Sequence, residues 1–487
     1  MFQGSCRSWG VFHSVPNDFA YFALLIWPLV SVIIYHTVPV IPATFWTIVG
    51  GYLLLPVGTE FDFPLLPALD KQSIPAIMAF IGCKFIARKK ITLLPTAGFE
   101  RKLIILFFVG SAITVFTNGD PVIEPNRYIP GLSLHDLLAT VVSQWLLLIP
   151  FIIGTQIIET HDDQVQVLRL LVIAGLWYSL LIVFEIRMSP QLHNLVYGFF
   201  PHSWIQQLRY GGFRPVVFLG HGLWVSIFIF TVLGSIIALS RLKLQSFKFS
   251  DSLIISGFVV LIILAKGVGA ILLGLSVYII VMFFKHESVA KIALFLSVIA
   301  ILYPIFCIVN LFPHDYLLDL IGSIDSSRAA SLRFRFDQEI ALLNRAVQKI
   351  FFGWGAWGRN RLEDSVTDGY WVILVGKYGL IGFSAIFGLI LRAIWRTNTA
   401  EKLIDKINER QFITTIMLVL TFLLIDQIPN ASVNPIMWFL VGAQLGRCNA
   451  IINTKDTVLA SNAFGKPLSK QVRSSHNEKM LSTKELM

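Results

Sequence analysis

Arginine side chains concentrate in two polar segments of the chain, each lying between long apolar runs. Arginine recognises phosphate well because its planar guanidinium donates two parallel hydrogen bonds to the oxygens. The two segments therefore predict a phosphate-bearing ligand, although loops of this length also need basic residues for solubility. The basic residues are Arg187, Arg209 and Arg214 in residues 186–215, and Arg328, Arg333, Arg335, Arg345, Lys349, Arg359 and Arg361 in residues 311–369.

The composition predicts that these segments connect membrane helices. Of the 487 residues, 55% are hydrophobic and 14% are charged, whereas soluble domains contain about 25% charged residues. Together with a mean hydropathy of +0.71, this leaves too few polar side chains to cover a water-soluble surface. The net charge of +10 lies mainly between apolar runs and in the C-terminal tail, which suits anionic lipid headgroups. We therefore expect membrane lipids as partners and no nucleic acid.

The apolar runs predict an all-α polytopic membrane protein with about 12–13 transmembrane helices. A helix needs about 20 mostly apolar residues to cross the hydrocarbon layer. We predict one transmembrane domain over residues 1–446, followed by a basic, disordered tail over residues 447–487. The runs are 19–38, 41–58, 73–87, 103–118, 137–158, 165–185, 216–239, 252–266, 268–284, 291–310, 370–391, 411–428 and 431–446.

Basic loops predict the orientation, because lysine and arginine are enriched on the cytoplasmic side. Alternation of the spans then places residues 119–133 and both arginine-rich segments on the extracytoplasmic side, with the C-terminus in the cytoplasm. The side of the N-terminus stays open, since the number of spans before residue 88 is uncertain. The basic loops lie at residues 88–102, 241–248, 285–291 and 392–410.

The longer arginine-rich segment also predicts an amphipathic helix. From Phe334 to Phe351, apolar residues recur at spacings of three and four, which is typical of a helix on a membrane surface or over a cavity. The glycine-rich run that follows, residues 353–358, ends this helix. Its tryptophans, Trp354 and Trp357, are either interfacial anchors or platforms on which a sugar ring stacks.

Cysteine and carboxylate spacing predicts neither a disulfide framework nor a metal site. No pair among Cys6, Cys83, Cys307 and Cys448 has the spacing of metal ligands, and two of the four lie inside apolar runs. Asp364 and Asp368 are four residues apart, but neither has an obvious further carboxylate partner. We therefore expect no metal and no cofactor.

Several motifs in the longer segment are similar to the O-antigen ligase and O-antigen (exopolysaccharide) polymerase family of membrane glycan transferases. In that family an arginine opens an amphipathic helix that leads to a Gly-x-Gly turn, and Arg335 stands at the expected spacing, 18 residues before Gly353. The run Gly379-Leu380-Ile381-Gly382 matches a Gly-Leu-Ile-Gly motif in the helix that follows. The resemblance implies a GT-C-like fold with a long extracytoplasmic loop that contains amphipathic helices.

Arg214 also fits the pattern of this family, whereas two other positions differ from it. Arg214 precedes an apolar run, as does the loop arginine that is thought to hold the lipid diphosphate in this family. Asp368 occupies the position of the family histidine, and Lys377 occupies the position of a glutamate. The residue that accepts a proton in the reaction is therefore a question that the resemblance does not answer.

The resemblance implies transfer of an undecaprenyl-diphosphate-linked glycan to the hydroxyl of an acceptor sugar. The leaving diphosphate needs preorganised positive charge, and arginines supply it without a metal. We assign Arg214 and Arg335 to the diphosphate and Asp368 to the base, although Asp368 is equally suited to cap the next helix. Further candidates for substrate binding are Arg333, Arg328, Arg359, Arg209, His221, His314, Trp354 and Trp357.

Three functions remain open from the sequence. A polymerase joins lipid-linked repeat units and is favoured, because the ligase-type histidine is replaced. A ligase would pass the glycan to lipid A core or a protein, and a flippase would move the lipid-linked sugar without forming a bond. The expected location is a bacterial inner (plasma) membrane, and the expected partners are the lipid-linked donor, the sugar acceptor and a chain-length regulator.

Overall fold

The chain folds into a bundle of helices with almost no sheet. The computed structural model describes residues 15–63, 67–95, 98–209, 211–242, 250–363, 365–366 and 368–463. Seven helices in these ranges are long and apolar enough to cross a membrane, which confirms the predicted all-α, multi-pass membrane class. They are Asp18–Thr37, Leu134–Ile157, His161–Met188, Gly222–Ser240, His286–Ile308, Tyr370–Leu403 and Ile407–Asp426.

The elements follow one another as helices, with two small hairpins in the connections. The helices are α1 (Asp18–Thr37), α2 (Val40–Phe45), α3 (Gly51–Leu54), α4 (Ser73–Ile81), α5 (Phe99–Phe116), α6 (Leu134–Ile157), α7 (His161–Met188), α8 (Leu192–Tyr197), α9 (Gly222–Ser240), α10 (Asp251–Leu264), α11 (Val268–Phe283), α12 (His286–Ile308), α13 (His314–Gly322), α14 (Ser326–Val347), α15 (Tyr370–Ala400), α16 (Ile407–Asp426) and α17 (Pro435–Ala463). The hairpins are β1 (Val122–Glu124) with β2 (Arg127–Ile129) and β3 (Leu208–Arg209) with β4 (Gly212–Phe213).

Every predicted apolar run is helical, but fewer runs qualify as membrane spans than the sequence predicted. Beyond the seven long helices, four apolar segments are shorter, at Val40–Leu54, Ser73–Ile86, Asp251–Leu264 and Val268–Phe283. The two remaining runs fall in α5 and α17. Helix α5 begins with three charged residues in a row, Glu100, Arg101 and Lys102, which raises the cost of placing its first turn in lipid.

The loops gather at two ends of the bundle, and the arginine-rich segments share one of them, called here the arginine end. There Asn17 donates its backbone N–H to Tyr197 O (3.0 Å), so α1 starts at this end. Lys349 donates to Thr117 O (3.1 Å) and Arg335 to Pro429 O (3.4 Å), so the α5–α6 and α16–α17 connections lie at this end too. At the opposite end the chain is held by ion pairs, Arg447–Glu409 (2.6 Å), His286–Glu401 (3.1 Å) and Arg392–Glu100 (3.5 Å).

Helix α15 is broken at Gly379, where the glycine-rich run after α14 packs against it. Gly379 has φ +66° and ψ −170°, which frees backbone groups that a continuous helix would use. Trp354 N–H donates to Gly376 O (2.8 Å), and Gly355 N–H donates to Lys377 O (2.9 Å). Leu380 N–H then donates to Ile350 O (2.8 Å). The backbone segments that contain the two glycine motifs are thus hydrogen-bonded to each other.

Both motifs need glycine because the two backbones touch. A Cβ on Gly379 would lie 2.1 Å from the carbonyl carbon of Phe351, and one on Gly353 would lie 2.5 Å from that of Lys377. Both glycines also have left-handed φ values, which L side chains disfavour. This contact fixes the end of α14 on α15 and so sets where the face of α14 that carries Arg335 lies.

Helices α6 and α17 also pack backbone to backbone. A Cβ on Gly442 would lie 2.3 Å from Phe151 O, and one on Gly446 would lie 2.8 Å from Ile158 O. Glycines four residues apart form the close helix–helix contact typical of membrane proteins. Helix α17 runs on to Ala463, beyond Arg447 where the tail was predicted to start. The rest of that predicted tail, residues 464–487, lies outside the described residues.

Candidate functional site

Arg214 is a buried arginine held at the start of α9. Its backbone N–H donates to Gln207 O (2.8 Å) beside the β3–β4 hairpin. After Pro215, Val216 and Val217 each donate a backbone N–H to Glu185 Oε2 at 2.7 Å. Because Gly222 has no side chain, the Arg214 stem crosses the first turn of α9, where a Cβ would lie 2.5 Å from Arg214 Cδ.

The guanidinium of Arg214 is short of partners. The residue is 4% exposed, and its Nε is buried without a hydrogen bond. Burial, followed by the charges of Arg209 and Arg335, lowers the pKa of Arg214 to about 10. A buried cation that is repelled by its neighbours is costly in free energy. A bound anion would remove that cost.

Arg335 lies close enough to Arg214 for its charge to lower the pKa of Arg214, although more than a hundred residues separate them in the sequence. Its Nε is 3.9 Å from Asp368 Oδ2, and its Nη1 donates a long bond to Pro429 O (3.4 Å). The side chains of Arg335 and Asp368 are 44% and 42% exposed. Both residues line a cavity of about 270 Å³ between α14, α15 and the α16–α17 connection.

Asp368 does not cap α15. The capping position is taken by Gly369, with no side-chain hydrogen bond to the helix. The carboxylate faces Arg335 instead. Of the two alternatives left by the sequence, the geometry therefore leaves Asp368 available to a ligand in the cavity.

Two histidines, His221 and His202, lie near Arg214. His221 caps α9, because its Nδ1 accepts the backbone N–H of Leu223 (3.0 Å). Its ring lies 4.8 Å from the ring of His202. Burial lowers the pKa of His221 to about 4, with further contributions from Arg214, His202 and Arg209. His221 is therefore neutral near pH 7 and orients the start of α9. The side chain of Arg209 is exposed nearby.

Two carboxylates at the site were missed by the sequence reasoning. Glu339 is four residues after Arg335 on α14 and lines the same cavity, so the i, i+4 spacing was the available signal. Its Oε1 accepts from Tyr303 Oη (2.5 Å) and its Oε2 from Trp371 Nε1 (3.1 Å). Burial raises the pKa of Glu339. Asp426 is buried at the end of α16 and accepts from Asn430 Nδ2 (2.8 Å). Nothing in its local sequence indicated a site.

Arg359 belongs to a different part of the molecule. It is 1% exposed and donates to three backbone carbonyls, Trp354 O (3.1 Å), Pro130 O (2.6 Å) and Asp120 O (2.8 Å). A guanidinium so fully engaged ties the glycine-rich run to the β1–β2 connection. The structure gives no such link between Arg359 and Arg214.

The remaining candidates are also dispersed. Trp354 is covered by the cations of Arg345 (4.2 Å) and Lys349 (4.7 Å), whereas Trp357 is 51% exposed. Arg333 is exposed on α14, and the side chain of Arg328 lies outside the described residues. His314 packs against Phe336, with ring centroids 4.7 Å apart.

A second, larger cavity of about 360 Å³ opens on another face of α15. Its wall is more apolar than polar, and its polar members are Asp70, Gln72, Ser73, Ser143, Gln144 and Lys377. A ligand with one polar group and a long apolar part matches such a wall. Lys377, which replaces the family glutamate, is the cation in this cavity.

The guanidinium groups of Arg214 and Arg335 are thus near enough for their charges to interact, and the Asp368 carboxylate lies beside Arg335. Oxygens of a phosphate or diphosphate match the donors of Arg214 and Arg335, and Asp368 can accept a proton from a neighbouring hydroxyl. No family model matches the chain, and no curated protein matches it significantly.

Proposed function

We propose that the protein is a membrane glycosyltransferase that transfers an undecaprenyl-diphosphate-linked glycan to the hydroxyl of an acceptor sugar. One observation carries the proposal: Arg214 and Arg335, from the two arginine-rich segments, meet at one end of the bundle with Asp368 beside them. The resemblance implies that Arg214 and Arg335 contact the diphosphate, and Asp368 is our own candidate for the proton acceptor. Their meeting in space is what the reaction requires.

The reaction would proceed by attack of the acceptor oxygen on the anomeric carbon of the donor. The bond from that carbon to the phosphate oxygen breaks, and its electron pair stays on the diphosphate. Arg214 and Arg335 stabilise the developing charge, since preorganised cations act strongly in a site shielded from water. The hydroxyl proton passes to Asp368. In this scheme the arginines supply the positive charge and no metal is needed.

Within this class, a polymerase remains the preferred function and a ligase the alternative. A polymerase must hold two lipid-linked glycans at once. The cavity at Arg335 and the apolar cavity at Lys377 lie on different faces of α15, which offers separate places for two such substrates. The expected location is the bacterial inner membrane, with the arginine end extracytoplasmic.

The test is turnover by the purified full-length protein with a lipid-diphosphate glycan. We expect release of undecaprenyl diphosphate together with a longer glycan. Arg214→Ala and Arg335→Ala should each reduce release by about 10²–10³-fold, the usual cost of losing one donor to a developing anion. Arg187→Ala is the matched control, because Arg187 is an exposed arginine at the end of α7, and it should keep native turnover.

Two outcomes would contradict the proposal. Unchanged release in both arginine variants would remove these residues from the reaction. Movement of the lipid-linked sugar across a vesicle membrane, with no new glycosidic bond, would favour a flippase instead. A glycan attached to lipid A core or to a protein, rather than to a second lipid-linked unit, would identify a ligase.

A further inference from the structure

A cysteine, a histidine and a glutamate meet next to the arginine cavity. Cys307 lies near the end of α12, His314 begins α13 and Glu339 lies in the middle of α14. Each offers one potential ligand atom, and these atoms all lie within 4.8 Å of one another. In the part of the chain that the structure describes, this is the one such group of three or more metal-ligating side chains.

We propose that Cys307, His314 and Glu339 form a zinc site. Zinc binds thiolate, imidazole and carboxylate together, and sites with three protein ligands leave a fourth position for water. Glu339 and its partner Tyr303 both line the cavity that holds Arg335, so the proposed site lies beside that cavity. The sequence could not indicate this site, because its ligands come from three separate helices without a recognisable spacing.

His314 is already in a state suited to binding metal. Its Nε2 is buried without a hydrogen-bond partner, although an imidazole nitrogen removed from water normally has one. The ring is wedged between Phe312 and Phe336, with centroids 4.9 Å and 4.7 Å away.

Glu339 has the surroundings of a metal-binding carboxylate. Tyr303 Oη and Trp371 Nε1 each donate to one of its oxygens. Hydrogen bonds of this kind orient ligating side chains and raise metal affinity. Its Oε1 is 4.0 Å from Cys307 Sγ. Zinc binding would release the thiol proton of Cys307 to solvent, because the thiolate is the form that binds the metal.

Only a small adjustment would be needed to bind the ion. Zinc–ligand bonds of about 2.0–2.3 Å place tetrahedral ligand atoms about 3.3–3.8 Å apart. The present atoms, within 4.8 Å of each other, must therefore approach by about 1.5 Å at most. Helix α13 has nine residues and only Leu318 buried, so a small shift of His314 disturbs little packing.

The zinc site does not depend on glycosyl transfer. It would join the end of α12 and the start of α13 to α14, one helical turn beyond Arg335. Bound zinc would thus hold the face of α14 that presents Arg335 to the cavity. Metal content can be measured on the protein whether or not any substrate is known, so failure of either proposal leaves the other standing.

The experiment uses the full-length protein in detergent, stripped of metal and titrated with Zn²⁺ and then with Co²⁺ as a spectroscopic probe. We expect one zinc per chain, and a thiolate-to-cobalt charge-transfer band in the cobalt form. Cys307→Ser should abolish the band and weaken zinc binding by at least about 100-fold. Tyr303→Phe, which keeps all three ligands, should weaken it by about 10–100-fold. Cys448→Ser, a buried cysteine on α17, is the matched control and should bind as the native chain does.

Two results would overturn the proposal. Absence of a stoichiometric zinc in the native chain is one. The other is that Cys307→Ser binds zinc as tightly as the native chain and shows the same charge-transfer band. If Cys307→Ser does not fold, Glu339→Gln and Tyr303→Phe decide the question, since neither changes the size of a buried side chain much.

Discussion

Arg359 and Arg335 should separate stability from catalysis, because the two arginines make opposite kinds of contact. Arg359 is 1% exposed and donates to three backbone carbonyls. Hydrogen bonds from a charged group contribute about 1.5–3 kcal/mol each. Such bonds are not additive, so we expect Arg359→Ala to cost at least about 3 kcal/mol of folding free energy.

Arg335 should behave in the reverse way. Its side chain is 44% exposed, and its two contacts are long, at 3.4 Å and 3.9 Å. An exposed ion pair contributes about 0–1 kcal/mol, so Arg335→Ala should unfold at nearly the native temperature. Its turnover should nevertheless fall by about 10²–10³-fold, because the proposed reaction loses a cation at the leaving diphosphate.

The assay measures thermal unfolding and turnover on the same detergent-solubilised samples. Arg361→Ala is the control for Arg359, since Arg361 is exposed two residues away, and it should unfold at the native temperature. The reasoning would be refuted by native stability combined with lost turnover in Arg359→Ala. That result would make Arg359 a substrate contact, as the sequence had suggested.

Three further changes test other parts of the structure. Gly379→Ala places a Cβ 2.1 Å from the backbone of Phe351 at a left-handed φ. This variant should lose more folding free energy than the roughly 1–2 kcal/mol of the φ strain alone. Gly257→Ala is the control, because a Cβ there has nothing within 4 Å, and it should unfold at the native temperature. Asp368→Asn should lower turnover by about 10²–10⁴-fold if Asp368 is the base, and an unchanged rate would exclude that role. Burial lowers the pKa of His193 from 6.5 to about 4, so the folded state favours the neutral ring. The folding free energy gained in this way is complete above pH 6.5 and is lost as the pH falls toward 4. Unfolding temperatures between these pH values should therefore drop less steeply in His193→Gln, and equal slopes would contradict this.

The sequence alone determined the membrane class and the positions of the helices. Lipid selects for length and hydrophobicity of single segments, which are local properties that composition reveals directly. The amphipathic helix before the glycine-rich run was also predictable, since its periodicity is local. The number of membrane spans was harder to predict. Some apolar helices, such as Val268–Phe283, are short, and α5 begins with charged residues.

Tertiary structure decided which polar residues work together. Arg214 and Arg335 come from different loops, and only packing brings them to one end of the bundle. Arg359 looked like a third member but has its donors satisfied by backbone carbonyls that are distant in the sequence. Cys307, His314 and Glu339 meet because α12, α13 and α14 fold against each other. Contacts of this kind depend on how helices cross, and helix crossing is set by close packing over the whole bundle rather than by any local pattern.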